Sequence, residues 1–206
     1  EQVGELVEKL KEINQYENTL IIFTSDNGPT WVDHVDYKFF NSTGKFVNSR
    51  RTMKGSVSEG GIRVPMIASW PNKIKSGSKS NHISAFYDFF ETACDVAGIK
   101  NNVETDGISF YHEMIGGIQA KHDYLYWEYP ASGGLQAIRM GKWKGVKNNL
   151  FKNPSKLKLF DLTSDEKELN DVSLKNPEIV NELEQKLSEA HSTPYLKQFI
   201  IPSLEQ

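Results

Sequence analysis

The sequence contains few of the residues that form disulfides and cysteine-based metal sites. A single cysteine, Cys94, among 206 residues excludes an internal disulfide and any metal site made of several cysteines. The five histidines show neither i, i+4 pairing nor the spacing of a metal-ligand cluster. No apolar run approaches the roughly 18–20 residues needed to cross a bilayer. A formal net charge of −3 argues against general nucleic-acid binding, so we expect neither a membrane span nor a nucleic-acid partner.

Residues 1–119 have the pattern of the closing portion of an α/β domain. They begin with a helix-like stretch that has one apolar face, and the apolar run at residues 19–25 is typical of a buried parallel strand. A strand over residues 64–70 and a helix over residues 84–97 follow, and Gly98 is suited to cap that helix. Since the sequence begins within the helix-like pattern of an α/β layer, we expect further strands of the sheet upstream.

Residues 120–206 have a different pattern, with short strand-like segments separated by Gly, Asn, Pro and Ser. These segments are residues 124–129, 135–140, 143–146 and 157–162. Asn176, Pro177 and Glu178 then supply an N-cap, a proline at the first helical position and an acid in the first turn of a helix. This pattern predicts a small α+β unit with a four-stranded antiparallel sheet and a helix on one face.

Two segments carry the residues that are suited to chemistry. Residues 19–29 (TLIIFTSDNGP) deliver Asp26 and Asn27 at the carboxyl end of the predicted strand, where α/β sheets bind ligands. Residues 54–65 (KGSVSEGGIRVP) bring Lys54 on a glycine-rich segment. Each segment also has a plainer interpretation. Asp-Asn-Gly forms turns because Asn and Gly tolerate a positive φ, and a single lysine is usually solvated.

In this order and at this separation, the two segments resemble the second half of a type I sulfatase, of the arylsulfatase family within the alkaline phosphatase superfamily. Residues 137–144 (AIRMGKWK) and 159–162 (LFDL) extend the resemblance over nearly the whole chain. It implies the C-terminal part of the sulfatase α/β domain in residues 1–119, then a small antiparallel α+β domain in residues 120–206. It also implies hydrolysis of sulfate monoesters, of carbohydrates in particular, by a periplasmic, secreted or lysosomal protein.

The resemblance assigns a role to individual residues. Asp26 and Asn27 are then ligands of calcium (Ca²⁺), with Mg²⁺ as the alternative, because hard cations prefer carboxylate and amide oxygens. Lys54 is then the catalytic-site residue that contacts the sulfate. His34 is expected to line the substrate pocket. The expected partner is a sulfated small molecule or a sulfated glycan.

The chain is expected to hold only part of an active site. Two oxygen ligands do not complete a calcium site, which takes six to eight. The nucleophile of the family is a formylglycine made in a C/S-x-P/A-x-R motif, and no stretch of the sequence matches that motif. We therefore expect no turnover by this chain alone, and self-association through unpaired strand edges. The alternatives are a phosphate or phosphonate ester hydrolase of the same superfamily, and a non-catalytic scaffold fragment.

Three further groups have two interpretations each. Glu59 and Arg63 favour an internal salt bridge over direct catalysis. The aromatic run at residues 127–129 (WEY) favours packing on the core over a sugar-stacking wall. The lysines of the C-terminal part favour solvated strand faces over electrostatic capture of a sulfated polysaccharide, and they are Lys142, Lys144, Lys147, Lys152, Lys156 and Lys158.

Overall fold

The computed structural model describes residues 1–32, 35–42, 44–47 and 49–205. His34, expected in the substrate pocket, lies outside these residues. The described helices are α1 (Gln2–Glu12), α2 (Glu59–Ile62), α3 (Asp88–Ala97), α4 (Tyr111–Met114) and α5 (Pro177–Ala190). The described strands are β1 (Ile21–Thr24), β2 (Met66–Ser69), β3 (Leu125–Tyr129), β4 (Leu135–Met140), β5 (Trp143–Asn148) and β6 (Lys158–Asp161). In length and hydropathy, none of these helices meets the requirement for crossing a bilayer.

The chain forms two compact units, and each unit contains two separate stretches of the sequence. One unit contains Glu1–Thr24 and Pro65–His122, and the other contains Ser25–Val64 and Asp123–Gln206. The segment that carries Asp26, Asn27 and Lys54 therefore packs with the C-terminal sheet. The predicted division into domains at residues 119 and 120 stays a prediction.

In the first unit, β1 pairs with β2. The pair is antiparallel, with Ile21 opposite Ser69, so the predicted parallel strand is wrong for this pair. A continuous apolar run reports burial of both faces and not the direction of the neighbouring strand, which is why it could not distinguish the two. The expected burial is also incomplete, since Phe23 is 55% exposed and Ile67 64% exposed. Self-association through this surface stays a prediction.

Helix α3 begins later than residue 84, the predicted start. Asp88 is buried, and its carboxylate accepts hydrogen bonds from Ala85 N at 2.7 Å and Ile108 N at 2.9 Å. These bonds fold the residues before Asp88 as a turn, since a side-chain acceptor competes there with the helical backbone acceptors. The predicted end is confirmed, because Gly98 adopts the left-handed conformation with φ 65°.

The second unit is built on a four-stranded antiparallel sheet, as predicted, and its strand order is β3-β4-β5-β6. Helix α5 begins at Pro177, also as predicted, and covers one face of the sheet. The core on that face contains Ile138, Leu157, Leu159, Leu183 and Leu187. The core on the opposite face contains Val57, Leu135, Ala137, Val146, Phe160 and Leu162, with Trp127 packed against it. Packing of Trp127 on the core is thereby confirmed.

Candidate functional site

The loop that follows β1 presents two oxygen-bearing side chains. Asp26 is exposed and Asn27 is half-buried. Asn27 Nδ2 donates to Gly28 O at 2.8 Å, and Ser25 Oγ donates to Asn27 O at 2.8 Å. The first bond uses the donor end of the Asn27 side-chain amide and the second reaches its main-chain carbonyl, and the described residues form no hydrogen bond with Asn27 Oδ1. A carboxylate and an amide oxygen are therefore available side by side.

Two backbone hydrogen bonds hold this loop against the segments that carry the second motif. Gly28 N donates to Gly61 O at 2.8 Å, and Lys54 N donates to Pro29 O at 3.1 Å. The structure thus brings the two sequence motifs into direct backbone contact. Neither motif could report this contact by itself, because each bond joins residues far apart in the sequence.

Close backbone approach explains Gly28 of the first motif and Gly60 of the second. A Cβ atom on Gly28 would lie 1.9 Å from Gly60 O, and a Cβ atom on Gly60 would lie 2.4 Å from Thr52 O. Neither Asn27 nor Gly28 adopts a positive φ. The plainer interpretation of Asp-Asn-Gly, a turn that needs positive φ, therefore does not account for this sequence. Glycine is needed at position 28 for space and not for a left-handed backbone.

Lys54 combines a fixed backbone with an exposed side chain. The preceding residue, Met53, is fully buried at 0% exposure, and the carbonyl of the following Gly55 accepts a hydrogen bond from Ser132 Oγ at 3.3 Å. The Lys54 side chain is exposed and forms no ion pair with a described residue. Its ammonium can therefore meet an anion without first breaking a salt bridge.

A buried group of charges surrounds Glu59, the first residue of α2. Lys144 Nζ lies 2.8 Å from Glu59 Oε1 and 3.2 Å from Glu168 Oε1. Glu168 Oε2 in turn accepts a hydrogen bond from Glu59 N at 2.8 Å. Lys144 is 0% exposed and Glu59 is 2% exposed. Three charged side chains from three parts of the chain thus meet out of contact with water.

Two arginines complete this group on the other oxygen of Glu59. Arg63 Nη1 and Arg139 Nη1 each lie 3.5 Å from Glu59 Oε2. The predicted salt bridge between Glu59 and Arg63 is confirmed. We refer to Lys144, Glu59, Glu168, Arg63 and Arg139 as the Lys144 cluster.

The pKa values of the two carboxylates in the Lys144 cluster are shifted in opposite directions. Burial alone would raise the pKa of Glu59, but the charges of Lys144, Arg139 and Arg63 outweigh it, and this pKa lies below its usual value. Burial prevails at Glu168 and raises its pKa above the usual value, although Lys144 acts against that shift.

The interpretation of Lys144 as part of a solvated strand face is wrong. Lys144 is two residues from Val146 on β5 and therefore shares its face, which packs in the core with Val57. This alternation of faces is the signal that could have found the buried lysine in the sequence. Lys142, by contrast, is partly exposed and lies 2.6 Å from Asp161.

The oxygen atoms of Asp26 and Asn27 fit two positions of a calcium site, since both are hard ligands that the described residues leave unused. In the described chain, no group of three or more His, Cys, Asp or Glu residues is arranged to hold a metal ion. Because calcium takes six to eight oxygen ligands, Asp26 and Asn27 can form only a part of such a site.

Comparison with known proteins extends over nearly the whole chain. A family model described as N-sulphoglucosamine sulphohydrolase, C-terminal, matches residues 48–193. The chain is 30% identical over 201 residues to the N-acetylgalactosamine-6-O-sulfatase of Bacteroides thetaiotaomicron. That alignment covers 90% of this chain and 39% of that protein. The chain is also 30% identical over 144 residues to the N-acetylgalactosamine-6-sulfatase of Canis lupus familiaris, and that alignment covers 69% of this chain and 26% of that protein.

A solved structure has the same fold. The crystal structure of Ps i-CgsB in complex with k-i-k-neocarrahexaose matches with a TM-score of 0.73 and 32% sequence identity. The match covers 91% of this chain and 39% of that chain. The chain therefore spans well under half the length of the relatives that it matches.

Proposed function

This chain belongs to the sulfatase family, and we propose that the full-length protein hydrolyses sulfate monoesters of carbohydrates. One observation carries the proposal. The backbone hydrogen bonds from Gly28 to Gly61 and from Lys54 to Pro29 join the loop of Asp26 and Asn27 to the segment of Lys54. Adjoining segments thus offer a carboxylate, an amide oxygen and an ammonium.

These three groups match what sulfate transfer needs. We assign Asp26 and Asn27 to calcium binding, and the bound divalent ion would supply stabilisation of charge on the sulfuryl oxygens. Lys54 would donate a charge-assisted hydrogen bond to a sulfuryl oxygen. A contact that is stronger in the transition state than in the bound substrate lowers the barrier more than it tightens substrate binding.

The relatives support a carbohydrate sulfate as the substrate. Two of them are named for the 6-sulfate of N-acetylgalactosamine, and a structural relative holds a neocarrahexaose. We propose a sulfated glycan, or a sulfated sugar released from one, as the partner of this site. A periplasmic, secreted or lysosomal location suits such a substrate and forms part of the proposal.

The test uses the full-length protein beside residues 1–206 alone. Sulfate release is measured from 4-nitrophenyl sulfate and from N-acetylgalactosamine 6-sulfate, with calcium and after chelation, and 4-nitrophenyl phosphate serves as the matched ester. We expect the full-length protein to release sulfate and to lose activity on chelation. We expect no release by residues 1–206, since this sequence has no C/S-x-P/A-x-R motif.

Two other outcomes would overturn the proposal. Faster hydrolysis of the phosphate ester than of either sulfate ester would favour the phosphate or phosphonate ester hydrolase. No turnover of any of these esters by the full-length protein would favour the non-catalytic scaffold.

A further inference from the structure

We propose that the Lys144 cluster positions the candidate site, with Lys144 and Glu168 holding α2 in place and α2 holding the loop of Asp26 and Asn27. Lys144 and Glu168 are positioning residues, because they reach the site only through Glu59 and the backbone. The kinetic consequences rest on the proposed function, whereas the structural consequences do not.

The first step runs from the sheet to α2. Lys144 lies on β5, where it is paired with Arg139 of β4 on one side and with Phe160 of β6 on the other. A residue paired on both sides has a rigid backbone, so the position from which the Lys144 side chain extends is fixed. From there Lys144 Nζ reaches Glu59 Oε1 at 2.8 Å, with both side chains shielded from water. The first residue of α2 is therefore tied to the middle of the sheet.

The second step runs through Glu168. Its φ is 54°, a left-handed conformation that is unfavourable for a residue with a Cβ atom. Such strain persists only where the surroundings hold the residue in place. Here the Glu168 side chain is 3% exposed, and its Oε2 accepts the hydrogen bond from Glu59 N at 2.8 Å. Glu168 thus caps the first N–H group of α2.

The third step runs from α2 to the loop. Helix α2 has a single turn, closed by the hydrogen bond from Arg63 N to Glu59 O at 2.8 Å. A single turn has little stability of its own, so its position depends on what holds its ends. The same turn provides Gly61 O, which accepts from Gly28 N, and Gly60 O, which leaves no room for a Cβ atom on Gly28. A shift of α2 would therefore move the loop that carries Asp26 and Asn27.

Stability alone does not account for a fully buried lysine. Replacing a buried ion pair by apolar groups of similar volume is often neutral or stabilising. Phe160, the neighbour of Lys144 on β6, belongs to the apolar core of this face, so apolar residues in place of Lys144 and its carboxylate partners together would have apolar neighbours. A fixed position for α2, by contrast, requires a directional contact, which the Lys144 ammonium provides.

The experiment compares three variants of the full-length protein. Lys144→Met removes the central cation, and Lys142→Met is the matched control, because Lys142 lies on the same hairpin but pairs with Asp161. Lys144→Met/Glu168→Gln also removes the charge of Glu168, whereas Glu59 keeps its contacts with Arg63 and Arg139. The amide oxygen of the glutamine can still accept the bond from Glu59 N. The double variant tests the proposal even where Lys144→Met alone does not fold.

Two readouts separate positioning from stability. Hydrogen exchange is followed at the amides of Gly28 and Lys54, the donors of the two bonds between the motifs. We expect exchange at both amides to become at least about tenfold faster in Lys144→Met and in the double variant, and to stay unchanged in Lys142→Met. We expect kcat to fall by about 10²-fold in the first two variants with KM little changed, since misplaced groups act mainly in the transition state.

Wild-type exchange at Gly28 and Lys54 in the folded double variant would overturn the proposal. A wild-type kcat in that variant would overturn its kinetic part. If the wild-type protein releases no sulfate, the proposed function fails, and the exchange comparison alone still decides whether Lys144 positions α2.

Discussion

Charged side chains are placed in two opposite ways within the second compact unit. Asp26 and Lys54 are exposed and form no ion pairs with described residues. Lys144, Glu59 and Glu168 are buried and bonded to one another at 2.8 to 3.2 Å. Lys54 and Glu59 lie on the same segment, and Lys144 and Glu168 contact Glu59 directly. The proposed roles follow this difference: the buried charges are proposed to hold the backbone, and the exposed charges are proposed to meet a ligand.

This contrast bears on how functional residues are found. Strongly perturbed pKa values cluster at active sites, but structural ion-pair networks perturb pKa values as well. Glu59 and Glu168 have shifted pKa values, and the structure gives them a scaffold role. A search for shifted carboxylates would select these two residues, to which the proposal gives no contact with substrate. Under the proposed assignment, exposure on a fixed backbone, and not a shifted pKa, marks the groups that contact substrate.

Lys144→Met should have the largest effect on the free energy of unfolding. It leaves Glu168 buried without its cation, and removing one partner of a buried pair costs about 3–5 kcal/mol. Urea unfolding of the full-length protein measures the loss, with Lys142→Met as the control. A loss no larger in Lys144→Met than in the control would mean that the buried cation holds nothing in place.

Gly28→Ala should come next, because it tests the backbone contact between the motifs. The new methyl group would lie 1.9 Å from Gly60 O, so the loop or α2 must move. Overpacking of this kind costs about 1–3 kcal/mol. Gly4→Ala is the matched control, since a Cβ atom there meets nothing within 4 Å and alanine favours a helix. Equal unfolding curves for Gly28→Ala and the wild type would contradict the close contact.

The sequence was sufficient for the elements that follow local periodicity. Short stretches of sequence carry the patterns that predict the four strands of the second sheet, the start of α5 at Pro177 and the end of α3 at Gly98. The direction of β2 beside β1 and the burial of Lys144 were not predicted. The strand direction depends on which distant residues become neighbours, and a hydrophobic pattern does not specify that. The burial of Lys144 follows from its place two residues from Val146 on β5, a local signal that the interpretation as a solvated strand face did not use.

The candidate site divides in the same way. The resemblance supplied Asp26, Asn27 and Lys54 from motif residues, and their roles as ligands and sulfate contact stay predictions. The bonds from Gly28 to Gly61 and from Lys54 to Pro29 join distant residues, so only the structure could supply them. His34, the other predicted site residue, lies outside the described chain.

The third prediction uses pH to separate the carboxylates of the Lys144 cluster. Because the pKa of Glu168 is raised in the folded state, the folded protein binds this proton before the unfolded chain does. The wild type should therefore gain stability relative to Glu168→Gln as the pH falls from neutrality towards about 4.3, the usual glutamate value. Urea unfolding at several pH values measures the difference. A difference that is constant across this range would contradict the raised pKa.

Glu59 should act with the opposite sign in the same titration. Its lowered pKa means that its contribution to stability is complete above about pH 4.3 and is lost as the pH falls through the folded-state value. A steep loss of wild-type stability should therefore begin only below the range in which Glu168 is protonated. Glu59→Gln should remove that acid limb of the pH profile.

Asp26→Ala should leave the free energy of unfolding unchanged and abolish turnover. The carboxylate is exposed and unpaired within the described chain, so its loss removes no structural contact. As one of the few anionic ligands, however, it would contribute much of the affinity for calcium. Calorimetric titration of the full-length protein with calcium measures the loss, and Asp95→Ala is the control at another exposed acid. Wild-type calcium affinity in Asp26→Ala would refute the ligand role.

Lys54→Ala should likewise leave the free energy of unfolding unchanged and still reduce catalysis strongly. Its side chain is exposed, and the backbone bond from Lys54 N to Pro29 O does not depend on the side chain. If the ammonium contacts a sulfuryl oxygen, its loss should lower kcat/KM by roughly 10²–10³-fold, as for one oxyanion-hole donor. Lys54→Arg should recover only part of this, because a planar guanidinium does not replace a compact ammonium. Steady-state kinetics on 4-nitrophenyl sulfate measures the effect, with thermal melting and Lys73→Ala as controls. Near-wild-type kinetics in Lys54→Ala would place this lysine among the solvated side chains and leave the buried cluster without a cationic group to position.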